Sequence, residues 1–342
     1  RENYSDELTE TVVENPELKA LLDENGIVPV AKDFLGGRVG IINKKGTDAI
    51  LNVKKFLPLM AQNMPFKDDY IQNISPDKES KQTMVDADLV AVTGDVGEFR
   101  AGITLAENLP NDDKLSIREL DGGRRNVYHR QVRNSGNNSK NYKKLIAKEF
   151  WKYYNPEADH WAVICHENTH SLGPKSKELG KFSSILEEYK ADMGMYAFLD
   201  EFKAEKCFSD FETKQIMVTG LLRGFMKGKP TLEQAHKTRS LMICNRMLSE
   251  KALTLDEEQK LHFDFEKIKA LTKTMLAEVI RIQIDGDIKK AEEYVSKWAV
   301  WTDEIEKVAE IIRSYNKKLN GYVEDSLAQE FLNPDFEASL KA

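Results

Sequence analysis

Residues 161–170 have the sequence Trp-Ala-Val-Ile-Cys-His-Glu-Asn-Thr-His, in which an apolar run leads into an H-E-x-x-H pattern. On an α-helix, side chains four residues apart project from one face, so His166 and His170 can bind one metal ion together. Glu167 points toward the open side of such an ion, where a carboxylate can accept a proton from water. The segment therefore predicts a helix that holds one Zn²⁺ per chain.

A third ligand for the ion is predicted in the segment Leu186–Asp192. A catalytic zinc site uses three protein ligands and one open position, and the third ligand is commonly a glutamate on a following helix. We assign it to Glu188, because only Glu188 has a carboxylate four residues downstream on the same helical face. That carboxylate, Asp192, can accept a hydrogen bond from the outer ring N–H of a ligating histidine. Glu187 is the alternative third ligand. If Glu187 does not bind the metal, we expect it to join Asp192 as a second carboxylate next to the ligands.

Two other interpretations of these residues remain open at the level of sequence. The histidines and acids can be ordinary charges on solvated helix faces, or the zinc can serve structure alone. The apolar Val163 and Ile164 that lead into the motif favour a buried metal site. A purely structural zinc would leave Glu167 without a role.

Length and charge indicate an enzyme-sized protein and argue against some partners. The 342 residues exceed the usual size of one compact core, so we predict a mixed α/β lobe at 1–135 and a mainly helical lobe with the zinc site at 136–342. The net charge is -7, and no long block of Lys and Arg forms a nucleic-acid surface. No apolar run approaches the roughly 20 residues of a membrane-spanning helix.

The cysteines and the start of the chain bear on localisation. Three scattered cysteines do not form a disulfide framework, which favours a reducing compartment, and we expect the cytoplasm. The start, Arg1–Ser5, has neither an initiating Met nor a hydrophobic signal core. We interpret this start as trimmed, and removal of a signal peptide is left as an alternative.

Hydrophobic periodicity predicts an α+β fold that is mainly α. Gly36–Gly37 is expected to be a turn, and Asp285–Asp287 a tight link between helices. Strands are predicted at Val39–Ile42, Leu89–Val92, Ala101–Leu105 and Val127–Val132, the middle two joined by a turn. Helices are predicted at 50–60, 140–154, 158–171, 182–204, 211–226, 231–249, 264–283 and 287–317.

Several motifs together resemble the dipeptidyl peptidase III group of zinc exopeptidases, and most closely the peptidase-like domain that accompanies some nudix hydrolases. His166–Pro174 resembles H-E-x-x-H-G-I-G-P, and Leu186–Asp192 resembles L-E-E-A-K-A-D. Leu109–Lys114 is similar to L-P-N-D-E-K, and Asp264–Asp287 to a helical stretch that ends in G-D. The resemblance covers residues 36 to 320 and implies a two-lobed fold with a wide cleft.

The chain also departs from the pattern of this group. Classical members carry H-E-x-x-x-H, one residue longer, and the portion upstream of residue 36 is predicted to be short or absent. Gln234–His236 resembles a segment whose histidine steadies the oxyanion of the substrate, so the resemblance gives that role to His236. Classical members place an arginine four residues later, where this chain has Ser240, and a role for the neighbouring Arg239 is left open.

The resulting hypothesis is hydrolysis of a short peptide substrate, in which Glu167 assists the attack of a zinc-bound water. A catalytically impaired zinc-binding regulatory module and an amidohydrolase acting on a non-peptide amide are the alternatives. The roles of Tyr128 and His129 on a predicted strand are left open. His160 and His262 lie in no motif and are expected at the surface.

Overall fold

The computed structural model describes residues 36–71, 83–94, 106–109, 125–129, 144–174 and 177–317. These residues form two compact units. The first comprises those within Arg1–Gln62 and Gln72–Arg133, and the second those within Asn63–Ile71 and Asn134–Ala342. The predicted lobe boundary at residue 135 stays a prediction.

The first unit is a small mixed α/β structure. It contains strands β1 (Gly36–Ile42), β2 (Thr83–Gly94), β3 (Ala106–Leu109) and β4 (Arg125–His129), and helices α1 (Lys44–Lys54) and α2 (Leu57–Asn63). The sheet order is β1-β2-β4-β3, with β2 and β4 parallel and the other pairs antiparallel. Asn43 caps α1 by accepting a hydrogen bond from the backbone N–H of Gly46 at 2.9 Å.

The second unit is mainly helical. Its α-helices are α3 (Pro156–Thr169), α4 (Ser183–Ala197), α5 (Leu199–Ala204), α6 (Asp210–Arg223), α7 (Ala235–Ser249), α8 (Phe265–Asp285), α9 (Ile288–Trp298) and α10 (Asp303–Lys317). Short 3₁₀ helices lie at Lys148–Tyr153 and Lys177–Phe182, and strands β5 (Leu253–Leu255) and β6 (Leu261–Phe263) form a hairpin. The predicted fold class, α+β and mainly α, is confirmed.

Helix α4 lies at the centre of this unit. It packs against α3, α7 and α8, and every residue from Tyr189 to Ala197 is buried. A helix that is buried on all sides needs small residues where neighbours cross closely. At Gly194, a Cβ atom would come within 2.3 Å of the Thr169 side chain. The absence of that atom lets α4 approach the end of α3.

Several predicted elements differ from the structure. Gly36–Gly37 is strand instead of turn. The predicted strand Leu89–Val92 lies within β2, and the turn predicted after it falls outside the described residues. The predicted helices at 50–60, 182–204 and 287–317 are each divided in two, and the described part of 140–154 contains a 3₁₀ helix. Residues 101–105 and 130–132 of the predicted strands lie outside the described residues. The link at Asp285–Asp287 is confirmed, with Gly286 at φ 61°.

Among the helices of the described residues, none is both long enough and apolar enough to cross a bilayer.

Candidate metal centre

Helix α3 presents the two histidines of the H-E-x-x-H motif. The preceding residues, Ala162–Cys165, are buried in the core, which anchors the last turn of the helix. His166 is buried, and His170 follows directly after the helix. The backbone N–H of His170 still donates to the carbonyl of His166, at 3.3 Å. Both rings therefore leave the same face of one helical turn, and Glu167, the residue after His166, is half-buried.

Helix α4 brings its glutamates to these rings. The carboxylate of Glu188 lies 3.3 Å from Nε2 of His166 and 3.7 Å from Nε2 of His170. The two Nε2 atoms are 3.1 Å apart. One potential ligand atom from each of the three residues therefore falls within a group less than 4.8 Å across.

These distances fit a zinc ion. Ligand atoms about 2.0–2.2 Å from a tetrahedral zinc lie about 3.3–3.6 Å from one another. The separations here are 3.1, 3.3 and 3.7 Å, and the two that involve Glu188 use different oxygens of its carboxylate. Two imidazoles and one carboxylate are also the ligand set of a catalytic zinc with one open position. The residues His166, His170 and Glu188 thus suit Zn²⁺ in both chemistry and spacing.

The outer nitrogen of His166 contacts a carboxylate that is itself paired with an arginine. Nδ1 of His166 lies 2.6 Å from Oδ1 of Asp192, and Nη1 of Arg239 lies 2.8 Å from Oδ2 of Asp192. Burial alone would raise the pKa of Asp192, but Arg239 and His166 lower it to about 2. An ionised Asp192 accepts the Nδ1–H of His166, which leaves Nε2 free to face a metal.

The outer nitrogen of His170 has an equivalent arrangement. Nδ1 of His170 lies 3.1 Å from Oε1 of Glu187, and Nζ of the buried Lys190 lies 2.8 Å from the same oxygen. Gln283 donates to the other carboxylate oxygen at 3.2 Å. Burial favours a higher pKa for Glu187, whereas Lys190 and His170 lower it to about 2. Of the two adjacent glutamates, Glu187 therefore contacts the Nδ1 side of His170, whereas Glu188 lies on the Nε2 side of both rings.

His236 also reaches this group of residues, from the start of α7. Its Nδ1 atom lies 3.0 Å from Oε2 of Glu188, while 72% of its side chain is exposed. The charge of Glu188 raises the pKa of His236. In the metal-free chain, His236 and the ring nitrogens of the other histidines hold the pKa of Glu188 well below its usual value.

Some site features were missed or misjudged from the sequence. Arg239 contacts Asp192 directly, although its role was left open because it stands one residue before the expected position. Lys190 and Gln283 were missed; the spacing of Lys190 from Glu187, three residues on a helix, was an available signal. His160 is buried, contrary to expectation, and His262 pairs with Asp256 at 2.9 Å. Tyr128 and His129 belong to β4, in the first unit.

Comparison with known proteins places this chain among mainly helical proteins with a dipeptidyl peptidase III-like fold. It is similar to the dipeptidyl peptidase III structure from Caldithrix abyssi, with a TM-score of 0.69 and 24% identity over 81% of this chain and 54% of that one. It is also similar to dipeptidyl-peptidase III from Corallococcus sp. strain EGB, with a TM-score of 0.72 and 18% identity over 82% of this chain and 53% of that one.

A sequence relative supports the second part of the predicted resemblance. The chain is 25% identical to Nudix hydrolase 3 of Arabidopsis thaliana over 283 residues, which are 77% of this chain and 35% of that protein. No protein-family model matches the chain. The resemblance predicted from the motifs, to dipeptidyl peptidase III with a nudix-linked relative, is confirmed. The chain spans about a third of this relative and about half of each peptidase structure.

Proposed function

We propose that this chain is a zinc-dependent metallopeptidase that hydrolyses short peptides, with a dipeptidyl-peptidase-like reaction as the specific expectation. The observation that carries the proposal is the convergence of both Nε2 atoms and the Glu188 carboxylate, with Glu167 next in sequence to His166. The structural neighbours are named as dipeptidyl peptidases, which supports a peptide as the substrate.

His166, His170 and Glu188 would hold one Zn²⁺, which when bound supplies Lewis acidity at its open coordination position. Asp192 and Glu187 accept the Nδ1–H groups of the two histidines and so keep both Nε2 lone pairs on the metal side. These two carboxylates are kept ionised by Arg239 and Lys190. The protein's own contribution is thus a fixed tautomer and orientation for each ring.

Glu167 acts as the general base in this proposal. Its carboxylate accepts a proton from the attacking water and passes it to the nitrogen of the leaving amine. His236 is exposed to an incoming substrate, and its protonated form can donate a hydrogen bond to the developing oxyanion of the scissile carbonyl.

The substitution Glu167→Gln tests this assignment. A general base contributes about 10²- to 10⁴-fold to the rate, so kcat/KM on a fluorogenic dipeptide substrate should fall by that factor. Zinc content should stay at one ion per chain, because Glu167 is no ligand. Glu292→Gln, a change of the same type at an exposed position on α9, is the control. Full activity of the Glu167→Gln protein would refute the assignment.

A further inference from the structure

A cavity beside the candidate metal centre has no role in the proposal so far. It has a volume of about 270 Å³ and lies among helices α4, α6 and α7. His236 lines it, and the same side chain lies 3.0 Å from Glu188. A molecule bound at the metal centre can therefore place one of its groups in the cavity.

The charged side chains of the cavity are mostly cationic. Arg223, Lys237 and Arg239 line it, against the single carboxylate of Asp192. Asp192 already contacts His166 with one oxygen and Arg239 with the other. Nη1 of Arg223 lies 3.2 Å from Asp159. For Lys237, which is exposed, no ion-pair partner occurs within the described part of the chain, so the lining keeps a surplus of positive charge.

The inner wall of the cavity offers a neutral hydrogen-bond donor. Tyr196 lines it from α4, and burial raises the pKa of its phenol well above the usual value, so the hydroxyl stays protonated. A Cβ atom at Gly220 would come within 2.6 Å of this hydroxyl. Glycine at that position therefore preserves the space around the hydroxyl.

We propose that this cavity is a substrate subsite that binds a carboxylate, with Arg223 and Lys237 as its recognition residues. The guanidinium of Arg223, beside its contact with Asp159, can donate a charge-assisted hydrogen bond to a carboxylate, and Lys237 adds a positive charge that pairs with no acid among the described residues. The carboxylate comes either from an acidic side chain or from the free terminus of a short peptide. This inference rests on the proposed peptidase function.

The test compares matched peptides on the zinc-loaded chain. One pair has an amidated end and differs only by Glu against Gln, and a third peptide is neutral in its side chains but has a free carboxyl terminus. Charge-assisted hydrogen bonds predict a preference of about 10- to 100-fold in kcat/KM for one carboxylate-bearing peptide. Whether the Glu peptide or the free-terminus peptide is preferred identifies the source of the carboxylate.

Variants link any preference to the cavity. Arg223→Met should bring the ratio of the kcat/KM values close to one. Arg223→Lys should keep part of the preference, and Lys237→Gln should weaken it by a few fold. Lys229→Gln, at an exposed position before α7, should leave the preference unchanged. Equal cleavage of all three peptides would overturn the subsite and leave the peptidase proposal intact.

A binding measurement separates the subsite from the peptidase function if no peptide is cleaved. Calorimetric titration with N-acetylglutamate, against N-acetylglutamine amide, which carries no carboxylate, then reports carboxylate binding without any cleavage. Saturable binding that is lost in the Arg223→Met protein would support a carboxylate site in a chain without turnover. Absence of saturable binding to the unmodified chain would overturn the subsite.

Discussion

The two candidate zinc-binding histidines are oriented by matching sets of partners. Asp192 and Arg239 support His166, and Glu187 and Lys190 support His170. In each set a buried cation keeps a carboxylate ionised, buried Asp192 in one and half-buried Glu187 in the other, and the carboxylate fixes which ring nitrogen carries the proton. Partners of this kind typically change metal affinity by about 10- to 100-fold when they are removed.

Lys190 provides a direct test at this scale. Its Nζ atom also donates to the backbone carbonyl of Leu172 at 2.7 Å, which ties the loop after the histidines to α4. Lys190→Met would leave the half-buried Glu187 without its cation and His170 less well oriented, so zinc affinity should fall about 10- to 100-fold. Competition with a chromophoric chelator measures this change.

Lys190→Arg and Lys229→Met are the matched comparisons for that measurement. The arginine variant keeps the charge and should recover part of the affinity, while the exposed Lys229 should have no effect. If Lys190→Met lowered the free energy of unfolding but left zinc affinity unchanged, the role of Lys190 would be structural alone.

The sequence predicted that the two histidines and Glu188 would lie close together, but it did not predict all the contacts of the site residues. The spacing of His166 and His170, and of Glu188 and Asp192, is a local helical property and was readable directly. Arg239 reaches Asp192 only because α7 packs on α4, which is a tertiary arrangement that no local pattern contains. The roles given to these residues at the metal stay predictions.

At the scale of elements, the crossing of α3 and α4 sets the distance between the histidines and Glu188. Thr169, fully buried at the end of α3, packs directly on the backbone at Gly194. The Thr169 hydroxyl also donates to the carbonyl of Cys165 at 2.8 Å, which fixes its position. This leaves little freedom for the side chain to move aside.

Gly194→Ala should therefore push the two helices apart. Overpacking of this kind costs about 1–3 kcal/mol of folding free energy, and a shift of the helices should also weaken zinc binding. Gly228→Ala is the control, because a Cβ atom there meets nothing within 4 Å. Urea unfolding and zinc titration of both variants measure the effects. Unchanged stability and affinity for Gly194→Ala would contradict the close approach.

Helix α1 supplies a pH test of the first unit through its buried Lys54. Burial lowers the pKa of this lysine to about 7, against 10.4 in an unfolded chain. Between these values the unfolded chain binds more protons, so the free energy of unfolding should rise with pH across the window. Removing the lysine with Lys54→Met should stabilise the protein by about 3–5 kcal/mol near pH 7.

The stabilising effect of Lys54→Met should shrink as the pH rises toward 10, because neutral Lys54 no longer carries a buried charge. Denaturant unfolding of both proteins at pH 6, 8 and 9.5 gives the comparison. A difference that stays constant across these pH values would show that Lys54 titrates normally.

The positions of helix breaks illustrate the limit of sequence prediction at this scale. The periodic stretch 287–317 reads as one helix, but α9 ends at Trp298 and α10 begins at Asp303. Between them, the side-chain amide of Asn245 on α7 donates to the backbone carbonyls of Trp298 and Val300, and Thr302 donates to its oxygen. The partner that satisfies these backbone groups lies more than 50 residues away in sequence, so the break could not be read locally.

At the scale of the whole molecule, the chain shares its fold with dipeptidyl peptidase III structures. Both structural neighbours are similar over about four fifths of this chain, and both carry less than 25% identity, a level at which the fold is the shared property. A chain that bound zinc without cleaving peptides would match the regulatory alternative. Both the peptidase proposal and the regulatory alternative require zinc binding, so the candidate site depends on it.

X-ray absorption at the zinc edge tests that claim most directly. For the purified chain loaded with one equivalent of zinc, we expect nitrogen and oxygen neighbours at about 2.0–2.2 Å with the scattering pattern of two imidazoles. His170→Gln should remove one imidazole from that pattern. A spectrum without imidazole scattering, or with sulfur neighbours at about 2.3 Å, would contradict a site formed by His166, His170 and Glu188.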